Sequence, residues 1–186
     1  MKKEIKLWTQ QSEKVKNKLF QKERTVVKKR YIKRKYGSES EIFLTAYDFF
    51  VKEAKKKVKR PDDAEYPIWA AEKKHNTVSS GDGFLIKLKV PENKVILFDA
   101  KKWNKILNLK YVPNSEKDLK EHKEKLKKYG IKSDSEIMLS PHYPNLKEEI
   151  KASWQRLFEV DTNNSNKIKA ALWELRLEWV EEIIEL

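Results

Sequence analysis

The chain has no cysteine, only four glycines in 186 residues, and no apolar run of membrane-spanning length. The absence of cysteine excludes disulfides, thiolate metal sites and cysteine nucleophiles together, and fits a reducing compartment. Nothing approaches the roughly 18 consecutive apolar residues a membrane helix needs. The opening Met1-Lys2-Lys3-Glu4-Ile5-Lys6 carries no apolar leader core, so a cytoplasmic protein without a membrane segment is expected. Two of the glycines sit in Ser79-Ser80-Gly81-Asp82-Gly83, whose spacing matches neither a nucleophile elbow nor a phosphate-binding loop and reads as a turn. Of three histidines, His75 and His122 have charged neighbours and His142 lies between prolines. None stands at ligand spacing from another His or a carboxylate, so neither a metal site nor a cofactor is expected. Asp62-Asp63 beside Pro61 reads as an acidic turn.

Charge and aromatic rings are abundant. Charged residues make up 38% of the chain, but 39% hydrophobic and 11% aromatic residues supply enough apolar surface to offset ordering entropy, so the chain folds. The net charge of +13 is uneven: residues 1–36 hold fourteen Lys or Arg against three Glu, a balance of +11, whereas the last twenty residues hold three basic and five acidic side chains. Such polarity favours an anionic partner at the basic end. The stretch Val26-Val27-Lys28-Lys29-Arg30-Tyr31-Ile32-Lys33-Arg34-Lys35-Tyr36-Gly37 concentrates it. Val27, Tyr31, Ile32 and Tyr36 at near-helical spacing predict an amphipathic helix ending at Gly37. Its outer face would present Lys28, Lys29, Arg30, Lys33, Arg34 and Lys35 to a polyanion, with counterion release as the driving term. The bland alternative is a solvated face covered by acids from elsewhere.

Alternation over residues 4–9 predicts a first strand, and a helix follows from Ser12 to about Lys22. Ser38 and Glu41 form a capping box ahead of Phe43, Leu44, Tyr47, Phe50, Val51, Ala54 and Val58, so a helix is expected there that stops before Pro61. Tyr66 to Ala71 suits a strand entered at Pro67. Residues 84–90 and 95–98 read as a hairpin, with Asp99 capping a helix that carries Trp103, Ile106 and Leu107. Ser115 opens and Gly130 closes a charged surface helix whose thin stripe is Leu119, Leu126 and Tyr129. Residues 137–139 read as a short strand, residues 146–158 as a helix, and residues 161–166 as a mobile loop. From Ile168 onward two apolar stripes appear at helical spacing. The second contains Trp173, Leu177, Val180 and Ile184, so a final helix is expected either sandwiched or serving as a dimer contact. These elements predict a single α+β domain over 1–186, a small, mainly antiparallel sheet of about four or five strands with helices packed on it.

The blocks "LWTQ", "YIKRKYGSESEIFLTAYDFF", "AEYPIWA", "VPENKVILFDAKKWNKILNLKYVP", "SWQRLFEV" and "IKAALWELRLEWV", in this order, resemble bacterial domain-of-unknown-function family 3841 over nearly the whole chain. The resemblance implies membership without an activity. The family pattern commonly has an aromatic where this chain has Ala71, and in many members a His where it has Asn104. Large rings also stand beside hydrogen-bonding side chains at strand ends. Trp8, Thr9 and Gln10, then Tyr66 and Trp69, then Trp103 and Asn104 could line one cleft, since flat rings stack on bases or nicotinamide. A first strand ending in an aromatic plus Thr, then a helix and later short strands, resembles the ADP-ribosyltransferase architecture, whose split sheet clamps a nicotinamide dinucleotide. The resemblance leaves the late glutamate of that architecture without a matching motif here, with Glu72 as the candidate. Three functions are therefore carried forward: a nucleic-acid-binding domain using the basic N-terminal helix, an ADP-ribosyltransferase-like enzyme with a dinucleotide cleft, and a partner-binding module of phage defence or counter-defence, monomeric or dimeric through the C-terminal helix.

Overall fold

Strand β1 (Glu4–Gln11) owes its form to alternation: Leu7 and Thr9 are buried while Lys6, Trp8 and Gln10 face the other way. The computed structural model describes residues 3–31, 37, 40–77, 81–161 and 167–186, with the backbone alone at 40–42. Two compact units emerge, Met1–Phe98 with Asp161–Leu186, and Asp99–Val160. The class is mixed α+β.

In the first unit, β1 is followed by α1 (Glu13–Lys22), whose Leu19 is fully buried, and by the two-residue β2 (Arg24–Thr25). Helix α2 (Ser40–Ala54) ends before Pro61, as its sequence requires. Strands β3 (Ile68–Ala70), β4 (Phe84–Pro91) and β5 (Ile96–Asp99) come next, and the chain later returns with β6 (Ile168–Leu172), β7 (Leu175–Arg176) and β8 (Val180–Glu185). One sheet has the order β1-β4-β8, a second β3-β6-β5, and β2 pairs with β7 alone. The two three-stranded sheets touch where Trp8 and Ala71 exchange backbone hydrogen bonds of 2.7 and 2.9 Å.

The core holds Leu7, Leu19, Ile68, Ile86, Leu88, Val90, Leu172, Leu175 and Trp179. Beside it, Tyr47 and Phe50 of α2 meet Trp69 and Phe98 edge to face, with ring centroids 5.0–5.7 Å apart. That geometry adds quadrupole attraction to burial.

The second unit is helical: α3 (Ala100–Leu107), α4 (Glu116–Lys128), α5 (Asp134–Leu139) and α6 (Pro144–Ser153), closed by a 3-10 turn over Trp154–Phe158. Two of the expected caps form, while Ser38 of the capping box with Glu41 lies outside the described residues. Asp99 accepts from the amides of Lys101 and Lys102, and Ser115 from that of Asp118. Trp154 is fully buried, its indole donating to the Lys110 carbonyl at 2.8 Å.

The structure corrects four sequence expectations. The final stretch is no helix and offers no helical dimer face: β6, β7, a 3-10 turn over Leu177–Trp179, and β8 replace it. Residues 170–175 are buried without a break, so both apolar stripes are the two faces of extended chain, and tertiary pairing overrides the helix preference of Ala, Leu and Glu. Trp173 is buried inside, its indole donating to the Val58 carbonyl at 2.9 Å. These three strands also raise the total to eight among the described residues. Residues 84–90 and 95–98 form no hairpin; β4 lies between β1 and β8, while the 3-10 turn over Glu92–Lys94 sends β5 into the other sheet. Residues 137–139 end a helix that Ser133 caps. Finally, Val27 bridges Tyr66 in extended form and helix starts only at Lys29. Residues 32–36, and residues 162–166 of the expected mobile loop, lie outside the described residues.

Candidate functional site

The N-terminal half of the first unit builds a cavity of about 520 Å³. Its walls come from the end of β1 (Gln11, Ser12), one face of α1 (Lys14, Val15, Lys18), the β2 strand and its exit (Thr25, Val26, Val27), Tyr31, and Ile68 of β3. The chain is forced into this shape by two local features. Gly83 adopts φ +143° against the Gln11 carbonyl, where any Cβ would come within 2.7 Å, so the end of β1 is held flush against the start of β4. Glu23 then turns the chain out of α1 in left-handed conformation, placing residues 25–27 opposite the helix. The interior is dominated by Val15, Val26, Val27 and Ile68.

The rim is cationic. Lys14 and Lys18 stand one helical turn apart on α1, and neither pairs with a carboxylate among the described residues. Tyr31 lies 40% exposed at the cavity, and its hydroxyl accepts from the Arg30 guanidinium at 3.4 Å. The Arg30 hydrogen bond, then the charges of Lys18, Arg30 and Lys14, hold the Tyr31 phenol below its ordinary value against the opposing effect of burial. Local potential at this mouth is therefore positive.

The basic run contributes unequally. Lys28 lies 3.9 Å from Glu65 and Lys29 3.7 Å from Asp48, loose ion pairs with all four side chains substantially exposed, while the Lys29 amide donates to Glu65 at 2.5 Å. Arg30 has Tyr31 as its hydrogen-bond partner. Lys33, Arg34 and Lys35 lie outside the described residues.

Within the first unit, Trp8, Thr9, Gln10, Tyr66 and Trp69 do not share one opening. Trp8 faces the other side of β1 from Thr9, with the ammonium groups of Lys74 and Lys87 5.6 and 5.9 Å from its ring. Gln10 shares that face and donates to the Gly81 carbonyl at 3.3 Å. Thr9 is fully buried and donates to the Trp69 carbonyl at 2.7 Å. Tyr66 is buried with its hydroxyl donating to Asp48 at 2.7 Å; burial first, then that carboxylate, raises its pKa. Trp69 packs into the α2 aromatic cluster. Trp103 and Asn104 belong to α3 of the second unit, Trp103 buried and the Asn104 carbonyl accepting from Asn108. Glu72 is exposed.

Sequence reasoning passed over Gln11, Lys14 and Lys18. A signal existed in the i, i+4 lysines flanking Val15, but the same pattern decorates any solvated helix, and only the return of residues 25–31 turns it into a rim. Among the described residues no group of three His, Asp or Glu side chains stands ready for a metal ion.

Elsewhere two buried polar clusters are structural. Glu174, 5% exposed, accepts from Arg24 and, at 2.9 Å, from Arg176, and Arg24 also grips Asp63 with two bonds of 2.7 and 2.8 Å. In the second unit, His122 is buried beneath Tyr111, their rings stacked at 4.1 Å, and bonds Asp134 at 2.6 Å.

Fold and site define a mixed α+β protein with a cationic, apolar-floored cavity and no helix, among the described residues, long and apolar enough to cross a membrane. The chain belongs to the family described as domain of unknown function 3841 (DUF3841), whose model matches residues 6–181. No curated protein and no solved structure matches it.

Proposed function

We propose that this chain binds a nucleoside phosphate, its base against Val15, Val26, Val27 and Ile68 and its phosphates on Lys14, Lys18 and Arg30. The observation that carries the reading is one cavity of about 520 Å³ combining an apolar floor with two lysines that lack carboxylate partners among the described residues. That volume falls within the roughly 300–1,000 Å³ of small-ligand sites. A dinucleotide is the larger member of this class. In the sequence analogy to ADP-ribosyl transfer the dinucleotide is the substrate, and the cavity draws its lining from both β1 (Gln11) and β3 (Ile68).

Calorimetry with ADP, nicotinamide adenine dinucleotide and inorganic phosphate tests the reading. ADP and the dinucleotide should bind more tightly than phosphate alone, and the Lys14→Gln, Lys18→Gln double variant should weaken ADP about tenfold or more, as expected when charge-assisted hydrogen bonds are lost. Absence of heat with both nucleotides at low salt refutes it. Nicotinamide release from the bound dinucleotide would establish the transfer chemistry.

A second reading is supported by the +11 balance of residues 1–36 and the loose pairing of Lys28 and Lys29: a single-stranded nucleic acid held along this surface. Its affinity should fall with salt by about 0.7 in logarithmic slope per phosphate contacted. An oligonucleotide that binds no better than ADP at low salt would exclude it.

A further inference from the structure

The cavity wall contains a side chain whose orientation is dictated from outside the cavity. Thr9 and Gln11 lie two residues apart on the same face of β1. The Thr9 hydroxyl stands 2.7 Å from the Trp69 carbonyl oxygen, and a carbonyl has no hydrogen to give, so the single Thr9 hydrogen is committed there. What remains on Thr9 Oγ1 is acceptor capacity. The Gln11 amide group 2.7 Å away must therefore present its nitrogen, donating to Thr9. Chemistry thus resolves the two-fold ambiguity of the amide. Thr9 is fully buried, so water does not compete for its hydroxyl. Gln11 Oε1 and its second N–H have no partner among the described residues, and Gln11 lines the cavity.

Resting on the nucleoside-phosphate reading, we infer that Gln11 is the specificity-determining residue of this cavity, and that the relay from the Trp69 carbonyl through Thr9 sets it to read an amino-bearing base, adenine rather than hypoxanthine. A fixed carbonyl beside a fixed N–H complements an edge carrying a donor next to an acceptor, which adenine supplies with its exocyclic amine and a ring nitrogen. Hypoxanthine puts a carbonyl oxygen where the amine stood and meets Gln11 Oε1 acceptor to acceptor. Thr9 is a positioning residue, acting through Gln11.

The test compares ADP with IDP on the full chain by calorimetry. The wild type should favour ADP by about tenfold, the scale of one net hydrogen bond lost. Thr9→Val, nearly isosteric but without a hydroxyl, should bring the two ligands within about twofold while ADP keeps its salt dependence, and Thr9→Ser should retain the preference. Gln11→Glu, an acceptor unable to donate to Thr9, gives a second route to the same loss. Equal binding of ADP and IDP by the wild type overturns the inference and leaves the nucleoside-phosphate site standing. A preference unchanged in both Thr9→Val and Gln11→Glu overturns it as well. Failure of the wild type to bind either ligand removes the site and the inference together.

Discussion

Replacing Glu174 with Gln would test how the first unit is held together. Glu174 is almost completely buried, and its two oxygens each accept from a different arginine, Arg24 and Arg176. Glutamine keeps one acceptor and turns an amine toward the other guanidinium, so one hydrogen bond becomes a clash of donors and the ionic attraction disappears. Removing one member of a buried ion pair costs about 3–5 kcal/mol. Here the arginines are partly open to water, with 32% and 42% of their side chains exposed, and Arg24 keeps Asp63. We therefore expect about 2–3 kcal/mol at pH 7, or roughly 4–12 °C in Tm for a chain of this size.

The effect has a pH signature. Burial alone would raise the Glu174 pKa, but hydrogen bonds from Arg24 and Arg176 outweigh it and hold the carboxyl below the ordinary glutamate value. A depressed folded-state pKa contributes stability that is present above the unfolded value, about 4.3, and is lost as pH falls through the folded one. Urea melts followed by tryptophan emission should show the gap between wild type and Glu174→Gln closing below about pH 4, where the unfolded-state carboxylate titrates. Glu178→Gln serves as control, since its exposed pairing with Arg176 at 3.5 Å should be worth less than about 0.5 kcal/mol. Equal stability of Glu174→Gln and wild type at pH 7, or a gap that does not change down to pH 3, would refute the argument.

Three further changes probe other links. Gly83→Ala should destabilise by about 2 kcal/mol or more, because positive φ and the Gln11 carbonyl both oppose a Cβ; thermal melts check this, and ADP affinity should fall in parallel. Ser153→Ala in the second unit leaves the buried Val112 amide without its 2.9 Å acceptor and should cost about 1–3 kcal/mol by chemical denaturation. Asp134→Asn should cost about 1–3 kcal/mol at neutral pH. The Asp134 carboxyl is pushed up by burial but more strongly down by His122 and the Tyr111 amide, so its contribution, too, is present above pH 4 and fades as acid protonates it; melts at pH 7 and 3 measure the difference.

Local signals were legible wherever one stretch of chain contains its own answer. Alternation over Glu4–Gln11 is β1; Asp99 and Ser115 cap helices because a side-chain oxygen two or three residues before an amide is a local geometry; and Pro61 lies beyond the end of α2. The class, mixed α+β, followed from these. The basic N-terminal region was legible as charge, though not which cations are compensated: Glu65 and Asp48, distant in sequence, approach Lys28 and Lys29, while Lys14 and Lys18 line the cavity without carboxylate partners among the described residues.

Residues 168–185 mark where local reading stops. Ala, Leu, Trp and Glu there satisfy a helical pattern as well as an extended one, and the choice is made by backbone donors on β3 and β4, roughly a hundred residues away, whose unpaired edges β6 and β8 complete. Composition and periodicity thus determined the charge distribution, most helices and the first strand, because these depend on neighbours within a turn or two. The cavity, the buried arginine–glutamate cluster and the setting of Gln11 by Thr9 and Trp69 were decided by tertiary structure alone, because each requires groups tens of residues apart to be desolvated together.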